Sequence, residues 1–446
     1  MREADRFGSK CSQYDSSGAF TGSEDCLYLN VWRPATQERN LPVYFWIHGG
    51  GNSIGSAGEP RFFGDRLASR ANMVVVTTQY RMGPLGWFTH ESLRRGDPLD
   101  DSGNYGNLDI IKALRWVRAN IEAFGGDPEN VTVAGQSAGG FNVCALIISP
   151  EAKGLFHKAI SESGGFNGIS PAAGAASAQA AISKILAKDG LTALPPKGAA
   201  YLRGKSAREI FEGYSVAPSG FLSGFVSVFN DGAVVRAEGK DALNDPAKYN
   251  RVPTIPGTNK EEFKVFLRGT YSPETEAAYQ ANVLRQSESW RATGVDEPAT
   301  AMTTSGQNVY AYQFNYGAYN KDGFNAWPTA VPTEVKGTTK MYNYAIMLGA
   351  AHSLDIAFFF GNWDYLVRPD LIFREDNEPG REALSEDMVA YLASFVRTGS
   401  PGTVRGVLWK PWSNEEGGSK RIIFDADATR SKIKMSSIIG YGSQEP

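Results

Sequence analysis

One short segment constrains the fold more than any other: it starts at Val131 and reads Val-Thr-Val-Ala-Gly-Gln-Ser-Ala-Gly-Gly-Phe. Its β-branched start predicts a strand, and the apolar run after its small residues predicts a helix. The residues from Gly135 to Gly139 match the pattern G-x-S-x-G, in which a sharp turn raises a serine hydroxyl above the sheet. These five residues alone also fit an ordinary turn. The strand before them and the helix after them favour a nucleophilic Ser137, towards which the helix directs free N–H groups.

The segments before this turn predict a sheet covered by helices. Residues 27–33 are strand-like, and residues 41–48 and 73–80 are continuously apolar, which is typical of strands buried on both faces. Apolar residues recur at helical spacing over 108–124. Strands that alternate with helices indicate an α/β protein with a mostly parallel sheet.

The pattern loosens after Gly164, where Ala-rich and mixed polar stretches predict helices. We expect helical excursions over about 166–225 and 264–305, near the C-terminal edge of the sheet and the mouth of the active site. Large α/β enzymes use such a length as one domain, so we predict a single catalytic domain over residues 1–446.

Composition excludes several classes of function. The net charge of −3 gives no attraction to nucleic acid, and no apolar stretch reaches the length of a membrane span. The polar N-terminus shows no signal-peptide pattern. Three cysteines are too few for a disulfide scaffold: Cys144 lies in an apolar run and predicts a buried thiol, whereas Cys11 and Cys26 are close enough to close a small disulfide loop.

A second informative stretch is His48-Gly-Gly-Gly51, which follows a predicted buried strand. Serial glycines expose backbone N–H groups, and two of them could bind a developing oxyanion together with the N–H of Ala138. The alternative is a flexible surface loop, which the preceding buried strand disfavours.

The nucleophile needs a base and an acid. Of the four histidines, His352 alone follows Ser137 by enough chain to come from a later strand, as the order Ser, acid, His requires. Glu261 and Glu262 follow a predicted strand between them, and their spacing leaves both open as the acid. Neither the histidines nor the cysteines have zinc-ligand spacing, so no metal and no cofactor is predicted.

Taken together, these motifs resemble the type B carboxylesterases, an α/β-hydrolase family that includes the cholinesterases and bacterial p-nitrobenzyl esterases. The resemblance runs from about Phe7 to the last predicted strand. It is carried by residues 23–31 (Ser-Glu-Asp-Cys-Leu-Tyr-Leu-Asn-Val), the glycine loop, 106–109 (Gly-Asn-Leu-Asp), 124–128 (Phe-Gly-Gly-Asp-Pro), the serine turn, 257–262 (Gly-Thr-Asn-Lys-Glu-Glu) and the His352 segment.

The resemblance implies an α/β-hydrolase fold and hydrolysis of small to medium uncharged esters through an acyl-enzyme, with only an ester substrate and water as partners. Non-catalytic adhesion proteins also belong to this family, and amidases, carbamate hydrolases and lipases share the catalytic groups. The implied site residues are the triad Ser137, Glu262 and His352, the oxyanion-hole residues Gly50, Gly51 and Ala138, and a Cys11–Cys26 disulfide.

Two departures from the family pattern are visible. The residue before the nucleophile is often Glu in the family and is Gln136 here, which should disfavour cationic, choline-like esters. The chain also begins where the family's first β-hairpin should already have passed.

A disulfide favours a secreted or periplasmic protein, and we expect a monomer or weak homo-oligomer. Six aromatic residues are candidates for the pocket lining, although core packing is the alternative for most of them: Phe62, Trp87, Phe141, Phe225, Phe266 and Trp363.

Overall fold

The computed structural model describes residues 4–335 and 338–440, and its centre is a nine-stranded sheet. In chain order the strands are β1 (Leu29–Trp32), β2 (Leu41–Ile47), β3 (Val74–Thr78), β4 (Gly126–Gln136), β5 (Lys158–Glu162), β6 (Thr254–Asn259), β7 (Ala311–Phe314), β8 (Arg421–Ala426) and β9 (Ser431–Ser436). Their order across the sheet is β9-β8-β7-β6-β5-β4-β2-β3-β1.

Seven neighbouring strands, from β3 to β8 across the sheet, are parallel, and only the edge strands β1 and β9 are antiparallel to their neighbours. Parallel strands need crossover connections, which helices supply on both faces of the sheet. The predicted mostly parallel α/β architecture is confirmed. The strands that precede the glycine loop, the serine turn and Glu262 are β2, β4 and β6, and all three end at the same edge of the sheet.

In the described residues, eight helices make up most of the cover. They are α1 (Asp65–Ala71), α2 (Tyr105–Asn120), α3 (Ala138–Ile147), α4 (Pro171–Lys188), α5 (Glu276–Arg291), α6 (Glu297–Thr304), α7 (Asp355–Phe360) and α8 (Glu378–Thr398). Further helices of four to six residues lie at Gly83–Gly86, Gly198–Arg203, Ala207–Phe211, Lys264–Leu267, Tyr344–Met347 and Pro369–Ile372, and a π-helical segment, Ala292–Asp296, joins α5 to α6.

Strand β2 shows why the central strands are continuously apolar. All seven of its residues are buried, but they face two separate cores. Tyr44 and Trp46 pack into one cluster with side chains of α1, α7 and α8. Val43, Phe45 and Ile47 pack into the other, with α2 and α3. Alternate side chains of one strand therefore fill both faces, and each fully buried large apolar side chain contributes roughly 1.5–3 kcal/mol.

Two stretches of chain between the later strands of the sheet carry further helices. The first contains α4, two short helices and a small antiparallel pair, Ser215–Val216 with Leu222–Ser223. The second contains α5, the π-helical segment and α6. A hairpin formed by Val331–Val335 and Thr338–Tyr342 was not anticipated from the sequence. A disulfide joins Cys11 to Cys26, which confirms that prediction, and Cys144 is a free buried thiol.

Candidate active site

Ser137 occupies the sharp turn between β4 and α3. Its backbone angles, φ 58° and ψ −126°, lie in a region that a non-glycine residue adopts only where the surrounding structure enforces it. The end of β2 crosses directly beneath this turn. A Cβ at Gly139 would approach the carbonyl oxygen of Ile47 to 2.0 Å, so only glycine fits there. The sequence pattern thus follows from the close approach of two strands and a helix.

The glycine loop leaves β2 beside Ser137. Gly50 and Gly51 both have positive φ, of 107° and 59°, and the N–H of Ile54 donates to the carbonyl of Gly50 at 3.0 Å. Within residues 4–335 and 338–440, no hydrogen bond uses the N–H groups of Gly50 and Gly51. Ala138 is the first residue of α3, so its N–H is one of the helix's unpaired donors. The loop and the helix start line the same cavity as Ser137.

His352 and Glu262 meet beneath this cavity. The imidazole Nδ1 lies 2.5 Å from Glu262 Oε2, and both side chains are buried. His352 precedes α7, while Glu262 lies just after β6. Because the carboxylate accepts from Nδ1–H, the neutral ring keeps its lone pair on Nε2, which is the tautomer that a general base needs.

Three donors hold the other oxygen of the Glu262 carboxylate. Ser163 Oγ, Thr258 Oγ1 and the Asn259 N–H donate to Oε1 at 2.6, 2.7 and 2.7 Å. Burial alone would raise the pKa of Glu262. The neighbouring His352 and these hydrogen bonds outweigh it, and the pKa lies below its ordinary value. The sequence analysis did not single out Ser163 or Thr258, although both lie at the carboxyl edge of parallel strands, where site residues gather.

The side chain of Gln136 contacts the Nε2 atom of His352. Gln136 Nε2 lies 3.1 Å from His352 Nε2, and Gln136 is 2% exposed. Nε2 accepts this bond when Nδ1 carries the proton, consistent with the Glu262 contact. In the described part of the chain, the Ser137 hydroxyl makes no hydrogen bond to His352. A proton transfer from Ser137 to His352 would require the imidazole to exchange the Gln136 amide for the serine hydroxyl.

The side chain of Glu261 is largely buried and paired with neighbouring groups rather than solvated. Its Oε1 lies 2.6 Å from the Nζ of Lys264, whose side chain is 2% exposed. Its Oε2 accepts from the N–H of Ala350 at 2.9 Å, and its own N–H donates to the Ala350 carbonyl at 3.0 Å. Glu261 thus ties the loop that carries His352 to the segment that carries Glu262.

Two further acids lie buried near the site. Burial, reinforced by the charge of Asp355, holds the pKa of Glu162 well above its ordinary value. Burial likewise raises the pKa of Asp355 to about 6, although the Tyr312 hydroxyl donates to it at 2.7 Å. Both shifts favour the neutral acid, whereas the lowered pKa of Glu262 favours its carboxylate beside His352.

The site opens into a cavity of about 1370 Å³. Four of the six predicted lining residues face it (Phe62, Phe141, Phe225 and Phe266), whereas Trp87 is buried in the core and Trp363 packs against Phe358, Phe373 and Arg381. Sequence reasoning missed Trp290, whose ring lies 5.0 Å from the His352 ring, as does that of Phe266. Four charged residues also line the cavity: Asp15, Glu59, Arg61 and Arg268.

The loop closed by the disulfide forms one wall of this cavity. Gln13 and Tyr14 belong to that loop and line the cavity. Gln13 Nε2 donates to the carbonyl of Gly55 at 2.8 Å, and its Oε1 accepts from the N–H of Gly55 at 2.8 Å. The disulfide loop is therefore joined to the end of the glycine loop.

Over residues 4–335 and 338–440, no group of three or more His, Cys, Asp or Glu side chains is arranged to hold a metal ion. Among the helices of the same ranges, none is both long and apolar enough to cross a membrane.

Comparison with protein families identifies one model, described as the carboxylesterase family, which matches residues 1–296 and 286–437. The para-nitrobenzyl esterase of Bacillus subtilis (strain 168) is 33% identical, over 96% of this chain and 86% of the relative. Carboxylesterase 1C of Rattus norvegicus is 41% identical over 54% of this chain and 42% of the relative. The medium-chain fatty acyl-CoA hydrolase precursor of Anas platyrhynchos is 54% identical, over 32% and 24%.

Solved structures give the same result. A PNB esterase superposes with a TM-score of 0.74 at 28% identity and covers 96% of this chain and 86% of its own. The Geobacillus stearothermophilus carboxylesterase EST55 superposes with a TM-score of 0.72 at 29% identity, over 98% and 88%. The predicted α/β-hydrolase fold is confirmed.

Proposed function

The chain belongs to the carboxylesterase family and is a carboxylic-ester hydrolase, and we propose that it acts through an acyl-enzyme on Ser137 with His352 and Glu262 as base and acid. The observation that carries this proposal is the buried 2.5 Å contact between His352 Nδ1 and Glu262 Oε2 at the cavity that Ser137 enters. With Nδ1 donating to the carboxylate, the neutral ring keeps the lone pair of Nε2 for accepting a proton.

The proposed reaction has two acyl-transfer steps. Ser137 Oγ attacks the ester carbonyl while its proton passes to His352 Nε2, and the imidazolium then protonates the departing alcohol. Water attacks the resulting acyl-enzyme with the same histidine as base, and the carboxylic acid leaves. The N–H groups of Gly50, Gly51 and Ala138 would bind the oxyanion in both steps; losing one such donor typically costs roughly 3–4 kcal/mol of activation free energy.

The cavity supports small to medium uncharged esters as substrates. Its volume of about 1370 Å³ lies above the range of about 300–1,000 Å³ typical of small-molecule sites, so small to medium esters fit it without a tight limit on their size. Aromatic side chains surround the histidine, with Trp290 and Phe266 stacked at 9° to each other. Gln136 places a neutral amide where a carboxylate would attract a cationic group. These features favour an uncharged ester with an apolar acyl or alcohol part.

We further propose that residues 1–446 act as one catalytic domain, as a monomer or weak homo-oligomer. The continuous sheet from β1 to β9 supports this. Both excursions contribute cavity residues, among them Phe221 and Trp290.

The test is covalent labelling together with hydrolysis of p-nitrophenyl esters of graded acyl length. An organophosphonate should add mass to the peptide that carries Ser137, and Ser137→Ala should abolish both labelling and turnover. Ser183→Ala, on the exposed face of α4, serves as the matched control and should retain both. Labelling at another residue, with activity retained in Ser137→Ala, would refute the proposal.

A further inference from the structure

Three buried asparagines behind the glycine loop form a continuous chain of hydrogen bonds. We name this chain the asparagine relay, and its members are Asn107, Asn142 and Asn52. Each is at most 2% exposed. Asn107 Nδ2 donates to Asn142 Oδ1 at 3.1 Å, and Asn142 Nδ2 donates to Asn52 Oδ1 at 3.0 Å. Trp87 Nε1 donates to Asn107 Oδ1 at 2.9 Å, and Asn52 Nδ2 donates to Ser227 Oγ at 3.0 Å.

Trp87 fixes the direction of the whole relay. An indole N–H can only donate, so the oxygen of Asn107 must face it and the amide nitrogen of Asn107 must face Asn142. The same reasoning orients Asn142 and then Asn52. Every bond therefore runs from Trp87 towards Ser227, which lines the cavity.

The Asn142–Asn52 hydrogen bond, which we call the central bond of the relay, joins two elements that both contribute to the proposed oxyanion hole. Asn142 lies on α3, four residues after Ala138, while Asn52 directly follows Gly51. Asn52 has a positive φ of 55°, and its carbonyl accepts from the N–H of Gly83 at 2.6 Å. The Asn142–Asn52 bond thus spans the gap between the helix donor and the loop donors.

The polar side chain of Asn142 is an exception among the residues of its helix. Apart from Asn142, α3 consists of small and apolar residues, and Asn142 is fully buried. A buried amide costs free energy unless it is hydrogen-bonded, and a partly satisfied network is worse than an apolar core. The complete relay removes that cost and gives the loop one defined position relative to the helix.

We infer that Asn142 and Asn52 are positioning residues that set the spacing between the Ala138 N–H and the N–H groups of Gly50 and Gly51. This inference rests on the proposed function, since the oxyanion acts only in that reaction. Oxyanion stabilisation depends on donors placed where charge develops in the transition state, and a displacement of about 1 Å can cost roughly 100-fold in rate. The relay should therefore affect turnover more than substrate binding.

The test breaks the central bond from either end, with Asn142→Leu and Asn52→Gly; glycine keeps the positive φ of position 52 without strain. We expect kcat for a p-nitrophenyl ester to fall about 10- to 100-fold while KM changes less than about threefold. The affinity for a trifluoromethyl ketone, whose tetrahedral adduct places an oxyanion in the hole, should fall in parallel with kcat/KM. If Asn142→Leu does not fold, Asn52→Gly tests the same bond.

Asn377→Leu is the matched control, because Asn377 is also fully buried and hydrogen-bonded but lies at the start of α8 and does not line the cavity. It should lower thermal stability and leave kcat and inhibitor affinity unchanged. If the relay variants behave like this control, the relay is merely structural and the inference falls. Ser137→Ala, measured alongside, separates this result from failure of the proposed function: only that failure would leave Ser137→Ala active.

Discussion

The adjacent acids Glu261 and Glu262 should respond to the same substitution in opposite ways. In Glu262→Gln, the three donors around Oε1 force the amide oxygen into that place, so the amide nitrogen faces His352 Nδ1. Nδ1 must then accept, and the ring proton moves to Nε2. A base in that tautomer cannot take the proton of Ser137, and the equivalent change in a serine protease lowers kcat about 10⁴-fold. We expect a similar loss, roughly 5 kcal/mol of transition-state stabilisation.

Glu261→Gln should instead lower stability. It removes the partner of Lys264, whose burial already lowers its pKa. Breaking a buried ion pair costs about 3–5 kcal/mol, and because the Glu261 side chain is 20% exposed we expect about 2–3 kcal/mol. At roughly 2.1 cal/mol/K per residue, 446 residues give an unfolding entropy of about 0.9 kcal/mol/K, so the midpoint should fall by about 2–3 °C. We expect kcat to fall by less than about tenfold, since the catalytic contacts are retained.

The assay compares kcat for a p-nitrophenyl ester with the thermal midpoint for both variants, purified in parallel. Lys260→Gln, a change of charge beside the same segment, controls for effects that depend only on net charge. If Glu261→Gln loses turnover by orders of magnitude and Glu262→Gln does not, Glu261 is the acid and the proposed triad is wrong. If both variants stay active and stable, the geometric reasoning fails for both residues.

Three further predictions follow from single contacts. Gln136→Glu places a charge beside His352 and should raise kcat/KM for a choline ester, relative to its uncharged carbon isostere, by about tenfold; an unchanged ratio would contradict this. Because the pKa of Asp355 is raised to about 6, the folded state holds a proton that the unfolded chain releases between about pH 4 and 6, so this group makes stability fall as pH rises through that window. Between pH 4 and pH 7, the stability of Asp355→Asn relative to wild type should therefore rise by about 2–3 kcal/mol, measured in parallel thermal melts. An equal pH dependence of stability in the two proteins would contradict this prediction. Replacing Cys11 and Cys26 by serine opens a link across 15 residues and should cost about 3 kcal/mol, measured as a midpoint lower by about 3 °C; no shift would show that the link does not stabilise the fold.

The parts of the fold that the sequence predicts are those with one dominant local signal. The continuous apolar run of β2 is buried on both faces, and the glycines of the serine turn are needed because Ile47 passes so close. Strand β9 was not predicted, because the exposed Lys432 and Lys434 alternate with less exposed residues along this edge strand. Charged residues on an edge strand protect against aggregation, and they remove the apolar pattern by which a strand is predicted.

The site shows the same division between local and long-range signals. Spacing alone could not separate Glu261 from Glu262, because the partners that distinguish them include residues distant in sequence, Ala350 for Glu261 and Ser163 and His352 for Glu262. The asparagine relay was likewise invisible, since its members come from three separate segments. Family resemblance supplied the choice of Glu262, but only the three-dimensional arrangement explains it.

The two hydrogen bonds between Gln13 and Gly55 link the disulfide loop to the glycine loop, so the redox state of the disulfide bears on how the protein is expressed and assayed. The loop is closed by a bond that thiols can cleave, yet it also forms a wall of the substrate cavity. Reduction of this bond would release one wall of the binding site, so we expect the oxidised and the reduced protein to differ in their kinetic constants. Both cysteines are only 1% exposed, so a reducing agent reaches the bond only when this region opens. Expression in a reducing cytoplasm would produce the reduced protein from the outset.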